Sequence, residues 1–189
     1  MTKPVYRYPP FVIGIEAEIT ETKRYWLKLK IDDNKKDNVV VILKNPSRAT
    51  KEVSDKTVFT VTNYIEKNSQ RFKCLKNVGS ITILNLMPVY ETDSSKLRNM
   101  PNDLFDEKNT GTIEDVTSKT STVIIAWGDH PRGLSFEYGK LKDSVLTILA
   151  RNKNNVYYVD KLSTVGNPKH GQVWGYPDRL KKFKFPTKI

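Results

Sequence analysis

The chain has 189 residues, 38% of them apolar and 10% aromatic, a composition that excludes an intrinsically disordered protein and suits one globular domain. Its 32 Lys and Arg against 21 Asp and Glu give a formal charge of +11. Such a surface attracts polyanions, so DNA is the predicted partner. Alternatively, the lysines bind no partner and only keep the protein surface soluble.

The single cysteine, Cys74, excludes a disulfide framework and a zinc site of four cysteines. The first ten residues lack the apolar core of a signal peptide, and no segment approaches the roughly 18 apolar residues of a membrane helix. We therefore expect a cytoplasmic protein outside the membrane, and a monomer. With two histidines and no metal-ligand spacing, we expect no metal and no other cofactor.

The amino-terminal part predicts an extended arm and an antiparallel hairpin. Residues 1–10 hold three prolines, and residues 11–19 predict a strand. In residues 24–31, RYWLKLKI, apolar and mainly basic positions alternate, which is typical of a strand with one exposed face. That face, which would extend a basic DNA-binding patch, is expected to hold Arg24, Trp26, Lys28 and Lys30.

The rest of the chain predicts an α/β protein. Strands are indicated by apolar runs at 39–43, 80–86, 121–128 and 155–160. Helical spacing predicts helices at 54–67, 112–120 and 134–150. Buried strands separated by helices favour a parallel or mostly parallel central sheet. We expect a single domain over residues 1–189, with an arm and hairpin (1–31) and a basic tail (179–189).

Polar residues follow each buried strand, where ligands bind in sheets of this kind. Residues 44–49 follow the first strand, Asn85 ends the second, residues 127–130 end the third, and His170 lies in a glycine-rich loop beyond the fourth. Each has a structural alternative, since Asn-Pro starts turns, a buried amide is often a hydrogen-bonded core residue, and a lone histidine is often structural. Their convergence predicts a site at one edge of the sheet.

The order of these motifs resembles the uracil-DNA glycosylase superfamily. The similar stretches are KNPS (44–47), ILN (83–85), AWG (126–128) and KHG (169–171). The chain also resembles domain-of-unknown-function family 1643 of bacteria and phages, on NPSRATKEVSDKT (45–57), ILNLMPVYETD (83–93), IIAWGDH (124–130) and GNPKHG (166–171). The resemblance covers about residues 39–175. It implies a three-layer sandwich with a central, mostly parallel four-stranded sheet, to which the amino-terminal hairpin is added.

The superfamily resemblance implies a DNA glycosylase, which takes a base out of the duplex and holds it in a pocket. By resemblance, Asn45 would position the water, Asn85 would read the base, and His170 would donate to the departing base. Asp55 is a further catalytic candidate, or alternatively the cap of the helix at 54–67. Val173 or Trp174 would press into the duplex as a wedge.

Further site residues are expected around these motifs. The base-binding candidates besides Asn85 are Pro46, Ser47, Phe59 and Trp127. The DNA-binding candidates are Lys44, Arg48, Lys169, Val173 and Trp174 near the site, and Lys181, Lys182 and Lys184 in the tail. In that tail, two phenylalanines lie between basic residues, which suits binding of a nucleic-acid strand. Alternatively, the tail is a last strand whose phenylalanines dock on the core.

The chain departs from the superfamily pattern at three positions. Lys44 replaces a glycine, Gly171 stands where Pro-Ser follows the histidine, and Asn45, unlike a carboxylate, cannot deprotonate water. These changes suit a base other than uracil, such as a modified pyrimidine of phage DNA.

The predicted activity is excision of a damaged or modified base, leaving an abasic site, in repair or antiviral defence. The alternative is a module that binds a nucleotide or DNA without bond cleavage, for example in phage–host conflict.

Overall fold

A computed structural model of the chain describes residues 6–91 and 93–185. One sheet contains the strands β1 Gly14–Ile19, β2 Arg24–Lys30, β3 Asp37–Leu43, β4 Val78–Asn85, β5 Thr122–Ile125, β6 Asn155–Val159 and β7 Leu180–Lys182. The α-helices are α1 Lys56–Lys67, α2 Pro101–Leu104, α3 Glu107–Ser118 and α4 Ser135–Arg151. Short 3-10 helices lie at Lys73–Leu75, Ser94–Asn99 and Gly171–Val173.

The sheet is mixed, with parallel strands at its centre and antiparallel strands at both edges. Its order is β1-β2-β4-β3-β5-β6-β7. The strands β4, β3, β5 and β6 pair in parallel, whereas β1, β2 and β7 are antiparallel to their neighbours. The α/β class is therefore confirmed. Within the described residues, the sheet has four parallel strands, the two strands of the expected hairpin at one edge, and the tail strand β7 at the opposite edge.

Helices cover both faces of the sheet. The α1 face buries Val39, Val41 and Leu43 of β3, whereas Val40 and Ile42 point to the face covered by α3 and α4. Successive side chains of a strand point to opposite faces, so a strand covered on both sides is apolar at every position. This burial explains the unbroken apolar run in β3. Within the described part of the chain, none of the helices combines the length and apolar character needed to cross a bilayer.

The start of α3 differs from the prediction. Asp106 caps this helix by accepting a hydrogen bond from the backbone N–H of Asn109, with an N–O distance of 2.8 Å. The helix therefore begins at Glu107 and not at residue 112. Apolar spacing identified only its later part, because the residues before Ile113 are polar or glycine. The observed bounds of α1 and α4 lie within two residues of those predicted.

The basic side of β2 is exposed at Lys30 and half-buried at Lys28 and Trp26, whereas Arg24 is buried, against the prediction. Arg24 is only 1% exposed, and its Nη1 donates to the backbone oxygen of Ala49 at 3.1 Å. Trp26 is half-buried, and its Nε1 donates to the carboxylate of Glu18 at 3.1 Å. The alternating pattern predicted that Arg24 is exposed. A local pattern cannot show that the loop after a different strand covers this end of β2.

The parallel strands all end at one edge of the sheet, and their following loops meet there. The backbone N–H of Leu86 donates to the oxygen of Leu43 at 2.9 Å, which joins the loops after β4 and β3. The N–H of Gly171 donates to the oxygen of Ala126 at 3.2 Å, which joins the late glycine-rich loop to the end of β5. These contacts position the candidate site.

Candidate active site

A cavity of 430 Å³ lies at the carboxyl ends of the parallel strands. Its volume is in the range of pockets that hold small ligands. The predicted site residues that line it are Lys44, Asn45, Ser47, Asp55, His170 and Val173. Its other lining residues, which sequence reasoning did not assign to the site, are Lys56, Thr57, Glu91 and Gln172.

The Asn-Pro turn presents the amide oxygen of Asn45. The Nδ2 group of Asn45 donates to the backbone oxygens of Pro46 at 3.0 Å and Glu91 at 2.7 Å. The backbone N–H of Glu91 donates back to the Pro46 oxygen at 3.1 Å. Pro46 is itself buried, so it shapes the turn and does not line the cavity. Because Nδ2 is engaged, Oδ1 is the atom of Asn45 that remains to accept a hydrogen bond from a ligand.

Glu91 brings a carboxylate to the same cavity. Its Oε1 accepts a hydrogen bond from the backbone N–H of Asp93 at 2.7 Å. Its half-buried side chain faces the cavity beside Asn45. Unlike the amide of Asn45, a carboxylate can accept a proton. The acid lies six residues beyond the end of β4, and only the backbone contacts between the two loops bring it to the site.

His170 is held as a neutral hydrogen-bond donor. Its Nδ1 accepts from the backbone N–H of Gln172 at 3.2 Å, which leaves the ring proton on Nε2. Burial, assisted by the positive charge of Lys44, lowers the pKa of His170 to about 4. A second cavity of 490 Å³, lined by Gly128 and Asp129, lies against the same histidine. The ring thus stands between two cavities as an uncharged donor at neutral pH.

Two glycines fix the position of His170. Gly128 has a φ of +69°, and a Cβ placed on it would lie 2.9 Å from the Cβ of His170. A Cβ on Gly171 would lie 2.7 Å from Cγ2 of Val61 in α1 and 3.0 Å from Cδ2 of Leu43. Glycine at both positions therefore allows the histidine loop to pack directly on β5 and α1.

Lys44 directly follows the central strand β3, is half-buried, and lines the cavity. No carboxylate among residues 6–91 and 93–185 comes within ion-pair distance of its Nζ. Burial lowers the pKa of Lys44, and attraction to Asp129 offsets part of this effect. Lys44 is thus a half-buried amine of the site without an ion pair among the described residues.

Asp55 caps α1, as the structural alternative predicted. Its Oδ1 accepts from the backbone N–H of Val58 at 2.8 Å. Its Oδ2 accepts from the N–H groups of Arg48 and Ala49, both at 3.3 Å. Both oxygens are therefore used to join the start of α1 to the loop after β3. Asp55 touches the cavity, but its hydrogen bonds indicate that it positions the loop.

A cluster that sequence reasoning missed supports this loop from below. Tyr90 Oη donates to the backbone oxygen of Ala49 at 3.2 Å, beside the hydrogen bond from Arg24. Tyr8 in the amino-terminal arm donates to the backbone oxygen of Thr50. Burial lowers the pKa of Arg24, and the nearby carboxylate of Asp55 offsets part of that effect. A buried cation and two phenols thus hold the chain that carries Asn45.

Asn85 is fully buried without hydrogen bonds to its side-chain amide. It is 0% exposed, and neither its Oδ1 nor its Nδ2 has a partner among the described residues. Its backbone oxygen accepts from Asn109 Nδ2 at 3.1 Å. No group among the described residues thus satisfies this amide, as the alternative of a hydrogen-bonded core residue would require. Asn85 lies beneath the site and does not line the 430 Å³ cavity in this conformation.

Three predicted aromatic site residues lie elsewhere. Trp127 is 1% exposed within the core beneath α3 and α4. Trp174 is 5% exposed, packs edge-on against Tyr64 with 5.0 Å between ring centroids, and donates through Nε1 to the Lys169 oxygen at 3.1 Å. Phe59 packs against Tyr6 and is not among the lining residues of the cavity. Trp127 and Trp174 are large apolar residues next to the sheet, and the core buries them.

Of the two predicted wedge residues, Val173 is the exposed one. Its side chain is 59% exposed at the rim of the cavity. The wedge predicted for Val173 or Trp174 is thus sterically available to Val173 and unavailable to the buried tryptophan.

The predicted DNA-binding cations differ in their surroundings. Lys169 is held by the carboxylates of Asp160 at 3.3 Å and Asp178 at 2.7 Å, so its charge is largely neutralised. Arg48 is exposed on the loop after β3.

The tail strand β7 runs antiparallel to β6, so the chain from Lys181 to Lys184 leads away from the site edge. Phe183 and Phe185 pack against the core, as the structural alternative for the tail predicted.

No three side chains of His, Cys, Asp or Glu come together as a metal site within the described ranges.

No curated protein and no solved structure matches the chain. A family model described as "Protein of unknown function (DUF1643)" matches residues 24–171, more than three quarters of the sequence. That match begins at the buried Arg24 and ends at Gly171, so it includes Arg24, Asn45, Glu91 and His170. The chain belongs to the DUF1643 family.

Proposed function

We propose that this protein is a DNA glycosylase that excises a damaged or modified base and leaves an abasic site. One observation carries the proposal. A neutral histidine donor, an amide acceptor and a carboxylate line one cavity at the carboxyl ends of the sheet, through His170, Asn45 and Glu91. The resemblance of the motifs to the uracil-DNA glycosylase superfamily and the net charge of +11 agree with this chemistry.

Cleavage of the N-glycosidic bond needs help at both of its ends. The base leaves with the bonding electrons, and Nε2–H of His170 stabilises the negative charge that develops on the base. Because the imidazole is neutral, its Nε2–H group can donate this hydrogen bond at neutral pH. At the sugar, Asn45 Oδ1 accepts a hydrogen bond from a water molecule. The carboxylate of Glu91 removes a proton from this water as the water oxygen bonds to C1′. The products are the free base and an abasic deoxyribose.

Asn85 is the proposed reader of the base edge. A buried amide without partners costs free energy, which a ligand with complementary donor and acceptor atoms would recover. The amide lies beneath the cavity, so reading the base requires the loop after β4 to move. Val173 at the rim would fill the gap in the duplex that the extruded base leaves.

The test is abasic-site formation. The purified protein is incubated with plain, uracil-containing and phage-modified DNA, and alkali then converts abasic sites into strand breaks. We expect breaks on one class of DNA, and a loss of about 10²–10³-fold in rate in His170→Ala. His130→Ala is the matched control, because His130 is exposed and lies outside the cavity. Absence of breaks on every DNA tested would reject the glycosylase.

The alternative is a module that binds a nucleotide or DNA in the same cavity without cleavage. One observation favours it: both carboxylate oxygens of the catalytic candidate Asp55 accept hydrogen bonds from backbone N–H groups, which fits a role in holding the loop and not in activating a water. Such a module would bind DNA or a free nucleotide tightly and produce no alkali-labile sites.

A further inference from the structure

The amine of Lys44 is placed where a glycosylase reaction would leave an aldehyde. Lys44 directly precedes Asn45, the proposed water-positioning residue, and both line the same cavity. The lysine stands at the end of β3, in the middle of the parallel strands. The rigid sheet therefore fixes its backbone beside the site.

The surroundings of Lys44 favour a reactive amine over a structural cation. Two other half-buried lysines are each paired with two aspartates: Lys169 with Asp160 and Asp178, and Lys23 with Asp103 and Asp106. Lys44 has no such partner among the described residues, and partial burial lowers its pKa. A desolvated, unpaired lysine has a larger fraction of the neutral form, which is the nucleophile in imine chemistry.

We propose that Lys44 is the nucleophile of an abasic-site lyase, which forms an imine with C1′ of deoxyribose after the base has left. The inference rests on the proposed function, because base excision produces the aldehyde. It also gives a role to the lysine that stands where the similar superfamily has glycine.

The chemistry balances with groups present in the cavity. The neutral Nζ of Lys44 adds to the aldehyde carbon C1′, and loss of one water gives the imine. A carboxylate such as that of Glu91 then removes a proton from C2′. The C2′–H electrons form a C2′–C3′ double bond as the C3′–O bond breaks and the 3′-phosphate leaves. Water hydrolyses the imine, which releases the unsaturated sugar and restores the amine.

The experiment uses duplex DNA that already contains one abasic site, together with borohydride, which reduces an imine to a stable covalent bond. The wild-type protein should form a protein–DNA adduct, and peptide mass mapping should locate the bond on Lys44. Lys44→Arg keeps the positive charge but cannot form an imine, so its adduct yield should fall at least 10-fold. Lys51→Arg, which changes an exposed lysine of the same loop, should retain the wild-type yield.

Two results would overturn the proposal: no adduct with the wild-type protein, or an adduct that maps to a residue other than Lys44. Mapping on the wild-type chain does not depend on whether Lys44→Arg folds. The preformed abasic site also bypasses base excision. If the protein makes alkali-labile sites but no adduct, it is a glycosylase without lyase activity. If it gives an adduct but excises no base, only the proposed glycosylase activity is rejected.

Discussion

Gly128 lies in contact with His170, so that a Cβ added to this glycine would meet the Cβ of the histidine at 2.9 Å. The contact joins the end of β5 to the loop that carries the proposed donor. It also gives the Trp-Gly motif a physical role that is independent of the tryptophan, which is buried in the core.

Gly128→Ala should displace His170 as well as strain the backbone. The left-handed φ of +69° alone should lower the free energy of unfolding by about 1–2 kcal/mol. The clash with the histidine should in addition lower excision activity. Gly166→Ala is the matched control, since Gly166 has a φ of +77° and nothing within 4 Å of its added Cβ. Equal activity in the two variants, measured with equal amounts of folded protein, would exclude a role for the contact.

Asn85→Leu should stabilise the protein and inactivate it. The substitution replaces a buried, unpartnered amide by an apolar group of similar size, which should raise the free energy of unfolding by about 1–3 kcal/mol. Asn109→Leu should do the opposite, because Asn109 Nδ2 donates to the oxygens of Asn85 and Leu86 at 3.1 and 3.2 Å. Urea unfolding measures both changes. A stabilised Asn85→Leu variant with full excision activity would show that the amide does not read the base.

His170 should titrate far below the usual range of histidine. NMR should follow its ring signals to a midpoint near pH 4. Between pH 6.5 and about 4 the unfolded chain binds a proton on this residue and the folded chain does not, so this group makes the protein less stable as pH falls. His170→Gln should remove that part of the pH dependence of unfolding. A midpoint near 6.5 in the folded protein would contradict the neutral-donor role.

Arg24→Met should loosen the site loop. Loss of the buried guanidinium leaves the Ala49 oxygen with one donor fewer and removes a cation near the Asp55 carboxylate, and should cost about 1–3 kcal/mol of unfolding free energy. Arg151→Met provides the comparison, because Arg151 pairs with Glu114 at the surface and such pairs contribute little. Thermal melting measures both. Similar small shifts in the two variants would reject a structural role for Arg24.

Lys181→Glu combined with Lys182→Glu should weaken DNA binding and flatten its salt dependence. For every phosphate that the protein no longer neutralises, the slope of log K against log salt should become shallower by about 0.9. Because the tail leads away from the site edge, the excision rate at saturating DNA should stay close to that of the wild type. Titrations at several salt concentrations provide the measurement. An unchanged slope would show that these lysines do not bind phosphate.

Sequence patterns predicted those parts of the structure that depend on neighbouring residues. The run at 39–43 identified a strand buried on both faces, and the polar residues after the strands led to Asn45 and His170, which line one cavity. These predictions succeed because burial imposes a pattern on each strand, and parallel strands bring their ends together.

Contacts between distant parts of the chain could not be predicted in this way. Arg24 belongs to an alternating strand, and only the loop that covers it makes it a buried residue. Glu91 reaches the cavity because its backbone forms hydrogen bonds with the Pro46 oxygen and with the side-chain amide of Asn45, and no local pattern points to these contacts. Trp174 belongs to a polar loop, yet it packs into the core against Tyr64. Each depends on which segments meet in space.

The short strand β7 also bears on self-association. It forms one edge of the sheet, where unpaired backbone groups would otherwise invite a strand from another molecule. It is only three residues long, and its exposed Lys181 and Lys182 repel a like-charged copy. Short, lysine-bearing edges are a common protection against aggregation. Part of the positive charge of this chain therefore has a use that needs no DNA, namely keeping an open sheet from growing into a larger one.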